Sequence, residues 1–223
     1  MHIMEGVLPW EWALFWWALT IIILIVGIFQ LNKVVRKNRE VLPLLAVSGA
    51  FIFVLSSLKL PSVFGMSSTH PTGTGLSTIA FGPAITTVLC AIVLLFQALL
   101  LGHGGLTTFG ANCFAMGFFG PLLAWLFYRA MQKTNINIYL TIFLAVIIAG
   151  LASYVMTALQ LALAFGFETL PEFLAIFAVT QIPISIVEGL IIVVAVKFIA
   201  KVKGEFFTKT GTLTEEQVAK MNK

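Results

Sequence analysis

Hydrophobic stretches alternate with short polar ones along almost the whole chain. Five apolar stretches can be read directly, at residues 9–31, 41–60, 114–127, 136–165 and 171–199. Runs of about 20 apolar residues without strict alternation are typical of transmembrane helices rather than of barrel strands. The pattern therefore predicts an all-α, polytopic bundle of transmembrane helices that forms a single membrane domain over residues 1–223.

A further apolar region, residues 76–101, contains the pair Gly82-Pro83 and is ambiguous. It is either one long span, or a short helix that turns at Gly82-Pro83 and is followed by a full helix. Proline cannot continue the preceding helix, and glycine adopts backbone angles that other residues avoid, so the pair suits a turn. With the turn, the chain has seven membrane segments, the third of them short.

The distribution of charge decides between these alternatives, because Lys and Arg in short loops stay on the cytoplasmic side. The loop "LNKVVRKNRE" follows the first span and is basic, which places it inside and the amino terminus outside. A single span at residues 76–101 would put most of the 13 basic residues outside. The turn leaves only Lys59 there. We therefore predict seven membrane segments, with the amino terminus outside and the carboxy terminus inside.

The composition supports lipid as the solvent, since 60% of the residues are hydrophobic and only 10% are charged. A soluble domain of this size has no interior large enough for so many apolar side chains. The net charge of +4 could suggest a nucleic-acid partner. The basic residues fall in loops between spans, however, where membrane topology explains them, and we expect no nucleic acid.

The predicted topology places the three histidines of the chain, His2, His70 and His103, on the external face. No basic cluster precedes the first span, so we expect no signal peptide and expect Met1 and His2 to remain in the mature protein. The amine of Met1, the backbone nitrogen of His2 and Nδ1 of His2 can then close two chelate rings on one metal ion. A fourth nitrogen would complete a square plane, a geometry typical of Ni(II) or Cu(II).

His70 is the preferred fourth ligand. It lies in "SSTHPTGTGL", where proline and glycines can fix an external loop and hydroxyl groups can orient the imidazole. His103, in "LLGHGGLTTFGAN", is the competitor. Its flanking glycines suggest close backbone packing, so we expect His103 to support the site through hydrogen bonds or packing. The predicted metal ligands are therefore Met1, His2 and His70.

Five motifs together resemble the CbiM/NikM family, the substrate-binding (S) components of energy-coupling-factor importers for nickel and cobalt. They are "MHIMEG", "SSTHPTGTGL", "FGPAIT", "LLFQALLLGHGGLTTFGAN" and "TQIPISIVEG". The resemblance implies a six-helix core, at residues 41–203, and an extra amino-terminal helix, at residues 1–31. We expect residues 204–223 to form a cytoplasmic tail. It also implies that the amine of Met1, the backbone and ring nitrogens of His2, and His70 bind the metal.

A subunit of this family would capture a divalent metal ion, nickel first and cobalt next, and move it across the cell membrane of a prokaryote. The resemblance implies as partners a coupling membrane protein, two ABC-type ATPases and a small accessory membrane subunit. The chain has no G-x-x-x-x-G-K-[ST] sequence and no His-Glu-x-x-His pattern, so we expect neither ATP hydrolysis nor metalloenzyme activity. No resident cofactor is expected.

The alternative function is that of a self-sufficient metal-ion channel or secondary carrier. Such a protein needs polar or charged residues through the middle of the membrane. Glu188 is the one acid well inside a predicted span. It either lines an ion path or makes a structural hydrogen bond to Gln181 or to a backbone group.

Overall fold

The computed structural model describes residues 2–61, 67–132, 134 and 136–221. In this part of the chain, six helical segments are long and apolar enough to cross a membrane. They are Trp10–Lys37, Arg39–Ser57, Pro83–Leu101, Phe109–Met131, Ile138–Phe165 and Phe167–Lys203. An all-α polytopic membrane bundle is thereby confirmed. The count of seven membrane segments and the orientation of the termini stay predictions.

The helices follow one another with short connections. They are α1 (Trp10–Lys37), α2 (Leu42–Ser57), α3 (Gly75–Phe81), α4 (Pro83–Leu101), α5 (Phe109–Asn112), α6 (Gly120–Met131), α7 (Ile138–Phe165), α8 (Leu170–Lys203), α9 (Glu205–Lys209) and α10 (Glu215–Met221). Short 3-10 turns precede α2 and α8, and a π-helical segment, Cys113–Phe119, joins α5 to α6. The predicted span at residues 114–127 therefore extends further at both ends.

The turn predicted at Gly82-Pro83 is present. Helix α3 ends at Phe81, Gly82 has φ +81° and ψ 175°, and α4 begins at Pro83. That backbone conformation is almost exclusive to glycine. Proline suits the first position of a helix, where its missing N–H has no partner in any case. These two adjacent residues therefore determine where α3 ends and α4 begins.

The carboxy-terminal segment, predicted as a cytoplasmic tail, folds back onto the bundle. Its buried side chains belong to the same apolar cluster as Tyr128, and they are Phe207, Leu213 and Met221. The hydroxyl of Tyr128 donates a hydrogen bond to the carbonyl of Thr212 (2.7 Å). The hydroxyl of Thr212 in turn donates to the carbonyl of Ile79, in the last turn of α3 (3.3 Å). The segment is therefore a packed part of the domain as far as Met221.

A small antiparallel sheet lies near the amino terminus, and the sequence did not predict it. Its strands are β1 (His2–Ile3), β2 (Leu60–Pro61) and β3 (Ser67–Thr69), with β3 in the centre. His2 pairs with Ser68. The sheet therefore places the first residues of the chain beside the segment that leads to His70.

Candidate metal centre

The structure brings together the three histidines that the sequence placed on one face. The rings of His2 and His70 are stacked, with centroids 4.4 Å apart and an interplanar angle of 23°. The His103 ring lies 4.3 Å from the His2 ring and 5.1 Å from the His70 ring, both edge-on. All three side chains are buried. One ring nitrogen from each lies within 4.8 Å of the others, which makes the cluster compact enough for one metal ion.

Three separate segments supply these rings. His2 lies on β1, and His70 follows β3, so the pairing of the two strands sets their spacing. His103 follows the end of α4, where its backbone N–H donates to the carbonyl of Gln97 (3.1 Å). Gly104 has φ +79°, a backbone conformation that residues with side chains rarely adopt, and a Cβ there would lie in ordinary contact with the Cβ of His2, at 3.5 Å. The positive φ therefore favours glycine where this loop approaches His2.

The geometry of His70 leaves one ring nitrogen ready to bind a metal. Its Nδ1 lies 2.8 Å from the carbonyl oxygen of Pro71. Because a carbonyl only accepts, Nδ1 carries the proton and Nε2 keeps its lone pair. Nε2 is buried and has no hydrogen-bond partner among the described residues. An imidazole held in this tautomer by a backbone carbonyl is a common arrangement of metal-binding histidines.

His103 is engaged differently. Its Nε2 lies 2.7 Å from the hydroxyl of Ser68 and 3.1 Å from Nδ1 of His2. These hydrogen bonds give His103 contacts suited to the supporting role that the sequence predicted. Since Nδ1 of His2 is the ring atom that the predicted chelate uses, a metal ion bound there replaces the hydrogen bond to His103.

Burial keeps the three imidazoles neutral. It lowers the pKa of His2 well below its usual range, and the neighbouring His70 and His103 lower it further. Burial is also the main cause that lowers the pKa of His70. Burial lowers the pKa of His103 to about 4. Near neutral pH the rings are therefore already neutral, and a metal ion can bind them without first displacing the proton of an imidazolium.

The segment after His103, as far as the end of α5, anchors the amino-terminal strand. The backbone N–H of Ile3 donates to Oδ1 of Asn112 (2.7 Å), and Nδ2 of Asn112 donates to the carbonyl of Ile3 (3.0 Å). The hydroxyl of Thr108 donates to the same carbonyl (2.8 Å). The carboxylate of Glu5 accepts from the N–H of Thr107 (3.1 Å). These contacts fix the backbone directly beside His2.

A comparison with protein families identifies the family of the chain. The model of the CbiM family, described as a cobalt uptake substrate-specific transmembrane region, matches residues 2–206. The chain belongs to the CbiM family. The family assignment covers the six long helices and all three histidines, and it agrees with the resemblance found in the sequence motifs.

Two CbiM relatives are similar over nearly their whole length. A putative cobalt transport protein CbiM 1 of Methanosarcina barkeri is 52% identical over 227 residues, covering 99% of this chain and 98% of the relative. The cobalt transport protein CbiM of Chlorobium limicola is 51% identical over 224 residues, covering 98% and 88%. Both relatives are named as transport proteins, in agreement with a transporter component rather than an enzyme. The homology and the six apolar helices make this chain a multi-pass membrane protein.

Two solved structures have the same fold. A crystal structure of a transition metal transporter superposes with a TM-score of 0.81 and 27% identity, covering 91% of this chain and 93% of the other. The structure of a truncated transition metal transporter gives a TM-score of 0.78 and 27% identity, covering 89% and 98%. The likeness confirms the membrane bundle as a whole.

Of the predicted ligands, the structure describes His2 and His70 and places their rings in contact. Met1 lies outside the described residues, so the place of its amine stays a prediction. Sequence reasoning gave no role to Thr108 or Asn112, which hold Ile3. The available signal was the group of polar residues in "GLTTFGAN", between apolar segments.

Replacing Asn112 with alanine is expected to weaken binding of the predicted metal, nickel, about 10-fold, a loss at the low end of those seen when a residue that orients a metal ligand is removed. The substitution removes both hydrogen bonds to the Ile3 backbone and so loosens β1. The measurement is a calorimetric titration of the purified, detergent-solubilised chain with Ni(II). Asn38→Ala is the control, since Asn38 caps the 3-10 turn after α1 and is far along the chain from the cluster. Unchanged affinity in the Asn112 variant would mean that Asn112 does not position the site.

Proposed function

We propose that this CbiM-family chain is the substrate-binding subunit of an ATP-driven importer and captures a divalent transition-metal ion, with nickel preferred over cobalt. One observation carries the proposal: three buried imidazoles form a cluster beside the amino-terminal strand, and Nε2 of His70, a proposed ligand, has no partner among the described residues. The names of the two relatives, a putative cobalt transport protein and a cobalt transport protein, support a transition metal as cargo. The solved transition metal transporters support it as well.

The proposed ligands are the amine of Met1, the backbone nitrogen and Nδ1 of His2, and Nε2 of His70. The stacked rings of His2 and His70, 4.4 Å apart, support a shared ion. The lone pair on Nε2 of His70 supports its place as the fourth nitrogen. Four nitrogens in a plane favour nickel or copper over metals that prefer tetrahedral sites. Copper has the higher intrinsic affinity, so its availability has to exclude it.

His103 has a supporting part in this proposal. In the metal-free arrangement it bonds Nδ1 of His2 and the hydroxyl of Ser68. That contact keeps the His2 ring beside His70 and satisfies a buried nitrogen until the ion arrives. Binding then exchanges one hydrogen bond for a metal–nitrogen bond.

The energy for import is proposed to come from partner subunits in a prokaryotic cell membrane. A coupling membrane protein, two ABC-type ATPases and a small accessory membrane subunit form the proposed complex. The spans offer little support for an ion path through this chain alone. Among the buried residues that the structure describes, Glu188 is the single acid, and its carboxylate accepts three hydrogen bonds from one loop.

Reconstitution separates this function from that of a self-sufficient channel or carrier. Vesicles that contain the chain alone are expected to bind radioactive nickel at their outward-facing sites without accumulating it. Vesicles that also contain the coupling protein and ATPases are expected to accumulate nickel only with ATP. Cobalt is measured in parallel. Uptake by the chain alone, driven by the nickel gradient, would contradict the proposal and favour the channel or carrier.

A further inference from the structure

Glu188 occupies an unusual position for an acid in a membrane protein. It lies on α8, is fully buried, and forms no ion pair with any residue that the structure describes. Its Oε2 accepts the backbone N–H of Thr72 (2.7 Å). Its Oε1 accepts the hydroxyl of Thr72 (2.7 Å) and the backbone N–H of Gly73 (2.8 Å). Both carboxylate oxygens are thus used on two consecutive residues directly after the His70-Pro71 pair.

The sequence left open whether Glu188 forms a hydrogen bond to Gln181 or to a backbone group, and these contacts answer that question. The carboxylate accepts from two backbone N–H groups and one hydroxyl of the loop, and not from Gln181, whose Nε2 instead donates to the hydroxyl of Ser185 (3.4 Å). A buried backbone N–H without a partner is costly, and the loop at residues 70–74 is neither helix nor strand. The Glu188 carboxylate accepts the hydrogen bonds of the Thr72 and Gly73 N–H groups, which a helix or a sheet would otherwise accept.

The loop is held from a second side by α2. Gly73 has φ +70°, and a side chain there would meet the carbonyl oxygen of Phe51 at 2.5 Å. The loop backbone therefore runs closely between α2 and the Glu188 carboxylate. Hydrogen bonds to an ionised acceptor are about twice as strong as neutral ones. Such a contact can define the path of a short irregular segment.

One peptide group connects Glu188 to the metal site. The carbonyl of Pro71 accepts the Nδ1 proton of His70 (2.8 Å), and the N–H of the next residue, Thr72, donates to Glu188 (2.7 Å). These two groups belong to the same planar peptide unit. Fixing its N–H therefore fixes the direction of its carbonyl. The chain carboxylate–peptide–imidazole resembles the carboxylate–histidine pairs that orient metal ligands, with a peptide inserted between them.

We propose that Glu188 is a positioning residue for the metal site: its carboxylate fixes the Pro71–Thr72 peptide, which holds the His70 ring and its tautomer. The inference rests on the proposed function and adds to it a residue on α8 that contacts no metal. Because the loop contacts both Glu188 on α8 and the backbone of α2, a movement of α8 relative to α2 would, on this proposal, change the placement of the fourth ligand. Import requires release of the ion, and this contact offers a route by which a shift of α8 could weaken binding.

Glu188→Gln is the most direct test. A carboxamide has nearly the same shape but only one acceptor oxygen, so its NH₂ group faces the N–H of Thr72 or that of Gly73. Nickel affinity is expected to fall about 10- to 100-fold, as it does when partners of metal-binding histidines are removed. Tyr128→Phe is the matched control. It removes one buried hydrogen bond, to the carbonyl of Thr212, and is expected to leave affinity unchanged.

A double-mutant cycle distinguishes positioning of His70 from general loss of stability. Glu188→Gln is titrated with Ni(II) in the native chain and in the His70→Ala background, and the visible absorption of bound nickel is recorded. If Glu188 acts through His70, the substitution lowers affinity and shifts the spectrum only when His70 is present. The same fold-loss in both backgrounds, or no loss in the native chain, would overturn the inference.

The outcomes also separate this inference from the proposed function. If His70→Ala leaves nickel affinity unchanged, the proposed ligand set fails. If His70→Ala weakens binding and Glu188→Gln does not, only the positioning role fails. Should the Gln variant not fold, Glu188→Asp keeps the charge but withdraws the carboxylate by one methylene. A smaller loss of affinity is expected there, and native affinity would overturn the inference.

Discussion

Acetylation of the Met1 amine is expected to abolish tight nickel binding. An acetylated nitrogen has no available lone pair, so the first of the four proposed ligands is lost. The backbone nitrogen of His2 is lost with it, because nickel displaces a peptide proton only when an adjacent amine anchors the metal. Removing a residue that only orients a metal ligand costs up to about 100-fold in affinity. The loss of two ligands should therefore lower the affinity by more than that.

The measurement is calorimetric titration of acetylated and unmodified chains prepared in the same way, with mass spectrometry to confirm that only the terminal amine is modified. A three-residue extension before Met1 is a second form of the test. A single added residue is unsuitable, because it would make histidine the third residue, and the new amine, two amides and Nδ1 would form a four-nitrogen chelate by themselves. Native affinity in the acetylated chain would remove the amine from the ligand set.

Replacing His70 with alanine is expected to weaken nickel binding about 100-fold or more, which corresponds to about 2.7 kcal/mol or more. His70 has a lone pair on a buried nitrogen without a described partner, held in the required tautomer by Pro71. His103 is the matched comparison, because it is equally buried and lies in the same cluster. Its Nε2 is already bonded to Ser68 and His2, so His103→Ala should cost less affinity.

Both histidine variants leave a similar cavity, but His103→Ala removes two buried hydrogen bonds and His70→Ala removes one, so the unfolding free energy should fall further in His103→Ala. The two are compared by nickel titration, with thermal unfolding of the metal-free proteins as the check on stability. A greater affinity loss for His103→Ala than for His70→Ala would exchange the two roles and make His103 the fourth ligand.

Much of the fold and part of the site could be predicted from the sequence. Apolar runs locate the long helices, and Gly82-Pro83 locates the turn, because both depend on rules that act within a few residues. The turn, chosen from the distribution of basic residues, places the His70 and His103 loops on one face. The close approach of His2 to both rings confirms that these three residues meet.

The contacts that orient the site could not be predicted, because they join residues far apart in the chain. Ile3 and Asn112 are 109 positions apart, and Thr72 and Glu188 are 116 positions apart. Helix rotation and packing decide such pairs, and apolar periodicity does not specify them in helices that face lipid. The strands of two or three residues are also too short for an alternating pattern. Their pairing depends on the loops that converge at the cluster.

X-ray absorption spectroscopy of nickel bound to the purified chain tests the central claim most directly. The proposed ligands predict four nitrogen neighbours, no sulfur neighbour, and the edge feature of a square-planar Ni(II) ion. The imidazole multiple-scattering signal should correspond to two rings, those of His2 and His70. A six-coordinate shell would contradict the square-planar chelate, and a signal from three imidazoles would assign the ion to the cluster of His2, His70 and His103 rings instead.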